Sequence, residues 1–215
     1  MFIGQVLSPE YVLFAGGRQG NIENLGLEEA GVDITGSGYV AVDEYFQTTA
    51  RAIYAAGDVT GPPGLASVAA EQGRVAASHA FGLGVRDQVD SLPAYGVYAI
   101  PEAAMVGLTE EQVRLQGVDY EVGRGAFDAN PRAVIAGGTE VMIKLVFRRS
   151  DKVLLGVHIL GDIACELIHL GQAVVRQHLP VDYIIETTFN APTFTDSYNT
   201  AAYDGLIRLD RRSKV

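Results

Sequence analysis

The sequence predicts two sections of different architecture: an α/β segment, then an α+β unit in which an antiparallel sheet packs against helices. Three observations carry this. Residues 53–81 run as a short apolar strand, a Gly-Asp step, a Gly/Pro turn and an Ala-rich helix, the succession expected at the ligand edge of an open α/β sheet. Glycine, aspartate and proline then break the pattern between Gly82 and Pro93. Beyond the break, apolar stretches at 140–147 and 153–159 flank a polar turn, and residues 163–178 repeat apolar side chains at helical spacing.

In chain order, residues 11–15 (YVLFA) form a nearly continuous apolar run, as expected of a buried strand. The run stops at Gly16-Gly17-Arg18-Gln19-Gly20-Asn21. Residues 25–30 read as a brief helical turn, and 38–42 as a second strand entered through Gly36-Ser37-Gly38. Residues 53–56 lead into Gly57-Asp58, and the helix at 65–81 follows Gly61-Pro62-Pro63-Gly64. Gly57 lacks the Cβ that blocks close approach, and Asp58 offers a carboxylate suited to hydroxyl donors of a sugar-like chain. The helix start would direct amides and a positive dipole end to the same place. On spacing alone, a ligand site and ordinary α/β structure are equally good readings.

In the second section, Thr109-Glu110-Glu111-Gln112 has the form of a capping box, with Gly117 where the helix would end. Within 140–147, Val141, Ile143, Leu145 and Phe147 share one face, as in a largely buried antiparallel strand. Residues 149–152 form the turn and 153–159 the partner strand, followed by the helix at 163–178 with Pro180 behind it and a last helix at about 195–209.

Composition narrows the function classes. The 215 residues suffice for one large or two small domains, and 48% hydrophobic with 20% charged residues is globular material. A net charge of −10 and a pI near 4.8 give no electrostatic case for nucleic acid or an anionic membrane. No membrane or signal segment is expected, and the cytoplasm is the expected location. The single cysteine, Cys165, excludes an internal disulfide and any C-x-x-C pair. His158 and His169 are expected as satisfied core or interface histidines, His79 and His178 as exposed ones, and Cys165 as inert packing. Glu166 and His169 share a helical face but lack a second donor pair, so no metal site is expected. No Gly-x-Gly-x-x-Gly turn occurs anywhere in the chain.

The wording of these segments carries a resemblance. "IYAAGDV" followed by "LASVAAEQGRVAA" resembles the second flavin-binding motif of the pyridine nucleotide-disulfide oxidoreductases, a family of flavoproteins with two dinucleotide-binding domains. "AGGRQGN" resembles the crossing from the nicotinamide domain back to the FAD domain, and "YAIPEAAMVGLTEEQV" with "LLGVHILGDIACELIHLGQAVV" resembles the last, dimer-forming domain. The resemblance implies a partial FAD-binding Rossmann-like segment at residues 1–85 (the end of the nicotinamide domain at about 1–15), a linker at 86–93 and a two-layer dimerisation domain at 94–215. It implies FAD as cofactor and NAD or NADP as substrates. It assigns the FAD ribityl chain to Asp58 beside Gly57, and the flavin-facing amides to Leu65 and Ala66. It further implies a homodimer through residues 94–215, and a missing N-terminal half that holds the glycine fingerprints.

The disulfide reductases of this family end on a His-Pro-Thr-x-x-Glu dyad, an imidazole oriented by a carboxylate. In this chain Ala191 and Asp196 stand at those two positions around Pro192-Thr193. Alanine moves no proton, so thiol–disulfide chemistry is disfavoured and no catalytic residue is assigned. "TTFNAPTFTDSYNTAAYDGL" and the Gly20 of "GRQGN" resemble the branch of soluble pyridine nucleotide transhydrogenases, although that branch usually has tyrosine at position 191. The alternatives are a dihydrolipoamide dehydrogenase or mercuric reductase relative, or a non-enzymatic dimerisation module. The chain alone is expected to be inactive.

Overall fold

A computed structural model describes residues 8–126, 130–137 and 142–213. The chain divides between Asp90 and Ser91 into two compact units.

The first unit is rich in turns and has one long helix, α1 (Ala66–Ala80), flanked by Leu65 at its N-cap and Phe81 at its C-cap. Val68, Val75 and Ala76 supply its buried face, joined by the polar Gln72 and Ser78. The Ser78 hydroxyl accepts the Val85 and Arg86 amides at 3.2 and 3.1 Å and so fixes the chain after the helix. The helical turn expected at 25–30 is present, with the Ala30 amide donating to the Gly26 carbonyl at 3.1 Å.

The three expected strands of this unit are not formed. Tyr11, Val12, Leu13 and Phe14 have no regular structure and are more than 80% exposed. Residues 38–42 and 53–56 contribute only the isolated bridges Ile34–Val40, Val42–Thr48 and Gln47–Tyr54. A strand exists only as part of a ladder, and the described residues of this unit offer these segments no continuous neighbour. What shapes the 48–56 segment is Thr48, whose buried hydroxyl donates to the carbonyls of Ala50 and Ile53 at 3.1 and 3.0 Å.

The second unit is an antiparallel sheet of five strands, β1 (Tyr95–Val97), β2 (Ala103–Gly107), β3 (Tyr120–Ala126), β4 (Met142–Arg148) and β5 (Leu154–Leu160), in the order β1-β2-β5-β4-β3. Its helices are α2 (Glu110–Leu115), α3 (Pro131–Ala136), α4 (Ala164–Arg176), α5 (Asp182–Glu186) and α6 (Ser197–Ser213). Residue 141 lies outside the described residues. Ile143, Leu145 and Phe147 are fully buried on one face, with Leu167, Ile168 and Val174 of α4 and Tyr198, Ala201 and Ala202 of α6 in the same cluster. Tyr198 locks that layer: its hydroxyl donates to the Leu167 carbonyl at 2.8 Å and accepts the Gly171 amide at 3.1 Å. Val146 belongs to a smaller cluster with Val113 of α2 and Val122 of β3.

On β3 and α6 the backbones themselves meet. A Cβ on Gly123 would overlap the Ala201 carbonyl oxygen and lie 3.0 Å from the Gly205 nitrogen; one on Gly205 would lie 2.6 Å from the Phe147 ring.

The capping box forms as the spacing predicts. Thr109 Oγ1 accepts the Gln112 amide at 3.2 Å and Gln112 Oε1 accepts the Thr109 amide at 2.9 Å. Gly117 ends the helix at φ +68°. Thr109→Ala should lower the stability of this unit by about 1 kcal/mol, while Thr109→Ser stays near the parent; urea denaturation of the two variants makes the comparison.

Candidate functional site

Asp58 opens a single 3-10 turn (Asp58–Thr60) just before α1. Gly57 precedes it at φ +85°, a conformation that favours glycine. Its amide donates to Gln72 Oε1 at 2.6 Å and its carbonyl accepts the Thr60 hydroxyl at 2.8 Å. A Cβ on Gly57 would lie 3.3 Å from that of Ala69. The glycine is therefore favoured by its backbone conformation and by close contact with α1.

The Asp58 carboxylate lines a cavity of about 210 Å³ with Arg18, Gln19, Tyr39, Gly61, Pro62 and Gly64. Arg18 Nη1 donates to Asp58 Oδ2 at 2.8 Å and to the Gly64 carbonyl at 3.3 Å. The pair is exposed, so it contributes little to stability, but it fixes the orientation of the carboxylate and occupies one of its two oxygens. Arg18 went unnoticed in the sequence as a site residue, although it lies within the quoted "AGGRQGN" segment; 40 positions separate the partners.

Leu65 and Ala66 differ in what they offer. The Leu65 amide turns back to the Pro63 carbonyl at 2.9 Å. Ala66 is exposed at the first position of α1, where an amide has no partner within the helix. Of the two amides, that of Leu65 is thus engaged, and that of Ala66 stands at the helix start.

The remaining candidates separate clearly. His158 is not the satisfied histidine expected, because both ring nitrogens are buried without a hydrogen-bond partner. Burial, and then the nearby Lys144 ammonium, lower its pKa to about 4. His169 is exposed in the single chain, with Nδ1 3.1 Å from Gln172 Oε1. His79 is exposed as expected, stacked on Tyr45 with ring centroids 4.4 Å apart. Cys165 is buried, and burial followed by the Glu102 carboxylate pushes its thiol up, as suits inert packing. No group of three or more metal-type donors occurs among the described residues. Ala191 is exposed, and Asp196 Oδ1 accepts from Asn199 Nδ2 at 3.3 Å. No helix of the described residues is long and apolar enough to cross a membrane.

Residues 93–202 match the family model of the pyridine nucleotide-disulphide oxidoreductase dimerisation domain, and residues 4–73 match that of pyridine nucleotide-disulphide oxidoreductase. The chain belongs to this family.

Among its relatives are soluble pyridine nucleotide transhydrogenases. Those of Marinomonas sp. (strain MWYL1) and Pseudomonas putida (strain GB-1) are each 42% identical, over 97% and 96% of this chain. The chain spans only 46% and 45% of their lengths. Among solved structures, the HOCl-induced flavoprotein disulfide reductase RclA of Escherichia coli is 29% identical, with a TM-score of 0.81 over 88% of this chain and 44% of its own. LpdA of Mycobacterium tuberculosis is 34% identical, with a TM-score of 0.75 over 86% of this chain and 40% of its own.

Proposed function

We propose that this chain forms part of a cytoplasmic, FAD-dependent soluble pyridine nucleotide transhydrogenase, which moves hydride from NADPH to NAD⁺. The observation that carries the proposal is Asp58, lining a cavity just before a helix start, in a chain 42% identical to proteins of that name. Residues 1–85 would supply part of the FAD site, 86–93 a linker, and 94–215 the surface of a homodimer. A preceding half would supply the glycine fingerprints and the nicotinamide site.

The residues present fit the polyol chain of such a cofactor. Asp58 Oδ1 has no partner among the described residues and can accept a hydroxyl hydrogen bond, while Arg18 holds Oδ2. The Ala66 amide, at the positive end of α1, can face an electron-rich ring edge. The cavity of about 210 Å³ takes a short segment of a dinucleotide, so this chain supplies one edge of the site. FAD, when bound, provides a two-electron carrier between one nicotinamide and the other. Ala191 offers no proton donor or acceptor, in keeping with hydride transfer that needs no thiol partner.

The test joins this chain to the preceding half of a 42% identical relative and records the visible spectrum after desalting. A retained flavin band with NADPH-to-NAD⁺ activity is expected. Asp58→Ala should weaken flavin retention by tenfold or more, the loss of a charged hydrogen bond. A colourless parent hybrid, or an Asp58→Ala variant as yellow as its parent, would overturn the assignment.

A further inference from the structure

The second unit contains a cleft of about 590 Å³ whose walls include Arg114 of α2, Arg124 of β3, Arg149 from the turn after β4, and Arg208 of α6. Arg149 is engaged, with Nη1 3.3 Å from Asp119 and Nη2 3.1 Å from Glu121. The other three keep donors in reserve. Among the described residues Arg208 spends only Nε, on Asp204 Oδ2 at 2.8 Å, and the same oxygen accepts the Arg124 amide at 2.9 Å. One carboxylate thus holds the Arg208 side chain and the backbone of β3 at Arg124. Burial alone would raise the Asp204 carboxyl, but the Arg208 guanidinium and the Arg124 amide outweigh it and hold it below its ordinary value. The Arg124 head lies 3.5 Å from Glu110 Oε1, the oxygen that Lys144 Nζ reaches at 2.9 Å. Arg114 is exposed and has no ion pair among the described residues.

Among the described residues, five cations (Arg114, Arg124, Lys144, Arg149, Arg208) meet four carboxylates (Glu110, Asp119, Glu121, Asp204), one more positive charge than negative in a chain of net charge −10. Guanidinium groups present a planar fork of donors that matches phosphate oxygens in pairs. Three such groups, delivered by a helix, a strand and a second helix, bracket a space of the size that small ligands occupy. Tyr120, Val118 and Val122 add an apolar wall. We propose that this cleft binds a small phosphate-bearing anion through the unspent guanidinium edges of Arg114, Arg124 and Arg208. Asp119, with its side chain 77% exposed, is the carboxylate that such an anion would displace from Arg149.

Inorganic pyrophosphate is the first probe, titrated into the full chain and followed by calorimetry and by the thermal midpoint. Saturable binding that weakens with added salt is expected. Arg114→Gln and Arg124→Gln should each lower the affinity about tenfold. Arg114→Gln also leaves the melting of the free protein unchanged, since that side chain has no ion pair among the described residues to lose. ADP binding more tightly than pyrophosphate would assign the site to an organic phosphate, and the reverse order to a free one; both support the proposal. Citrate binding as well as pyrophosphate would overturn the phosphate class. Absence of saturable binding at millimolar pyrophosphate, or affinities indifferent to both substitutions, would overturn the site.

Discussion

Gly123→Ala should destabilise the second unit by about 3 kcal/mol, and Gly123→Val should prevent it from folding at all. The new methyl group would overlap the Ala201 carbonyl of α6, and Gly205 leaves no slack on the facing helix. A side chain could turn aside; a helix backbone cannot, so α6 must lift off β3 and surrender contacts with Phe147 on the way. Gly73 in α1 is the contrast. A Cβ there meets nothing within 4 Å, so Gly73→Ala should stabilise the first unit by about 0.5–1 kcal/mol through helix propensity. Urea denaturation followed by circular dichroism measures both. A Gly123→Ala protein within about 0.5 kcal/mol of the parent would mean that sheet and helix are not held this close.

Acidification should weaken the same unit, through His158. Met105, His158, Lys144 and Arg124 lie side by side across β2, β5, β4 and β3, and residues directly opposite in a ladder share one face. Lys144 is thus the imidazole's cationic neighbour, and Glu110 of α2 is the carboxylate that attracts it, already bound to that same lysine. With both ring nitrogens buried, the folded state takes up its proton only near pH 4, whereas the unfolded chain does so near 6.5. Below pH 6.5 the unfolded state therefore binds more protons. Stability is full above that value and falls as the pH drops towards 4, by at most about 3 kcal/mol. His158→Phe should flatten the slope between pH 6.5 and 5, above the range where Glu110 and Asp204, both held below their ordinary values, begin to titrate. Chemical denaturation across that window decides it: an unchanged slope in His158→Phe assigns the acid sensitivity elsewhere.

The second unit was far more legible in the sequence than the first, for a physical reason. Residues 142–147, 153–159 and 163–178 pack against one another within the unit, so apolar periodicity and mutual burial coincide. β4, β5 and α4 accordingly fall within a residue or two of those bounds. The capping box of Thr109 is local and was readable outright. Residues 11–15 have the same apolar texture as a core strand, yet they are exposed, because burial depends on neighbours that an apolar run does not specify. The Asp58 turn was found from its Gly-Asp step and following helix, but Arg18 was not, since an ion pair spanning 40 positions leaves no local trace. The arginine cleft was equally hidden. Its residues stand at 114, 124, 149 and 208, and only sheet register and the docking of α6 assemble them.

The bond from Gln72 to the Gly57 amide ties the Asp58 turn to the second turn of α1. Residue 72 sits on the buried face of the helix together with Val68 and Val75. The carboxylate is thereby indexed to the packing of the unit's interior: a rotation of α1 that disturbs those valines drags the turn with it. A substitution in that interior, remote from any ligand, would therefore alter the aim of Asp58 as well as the durability of the fold.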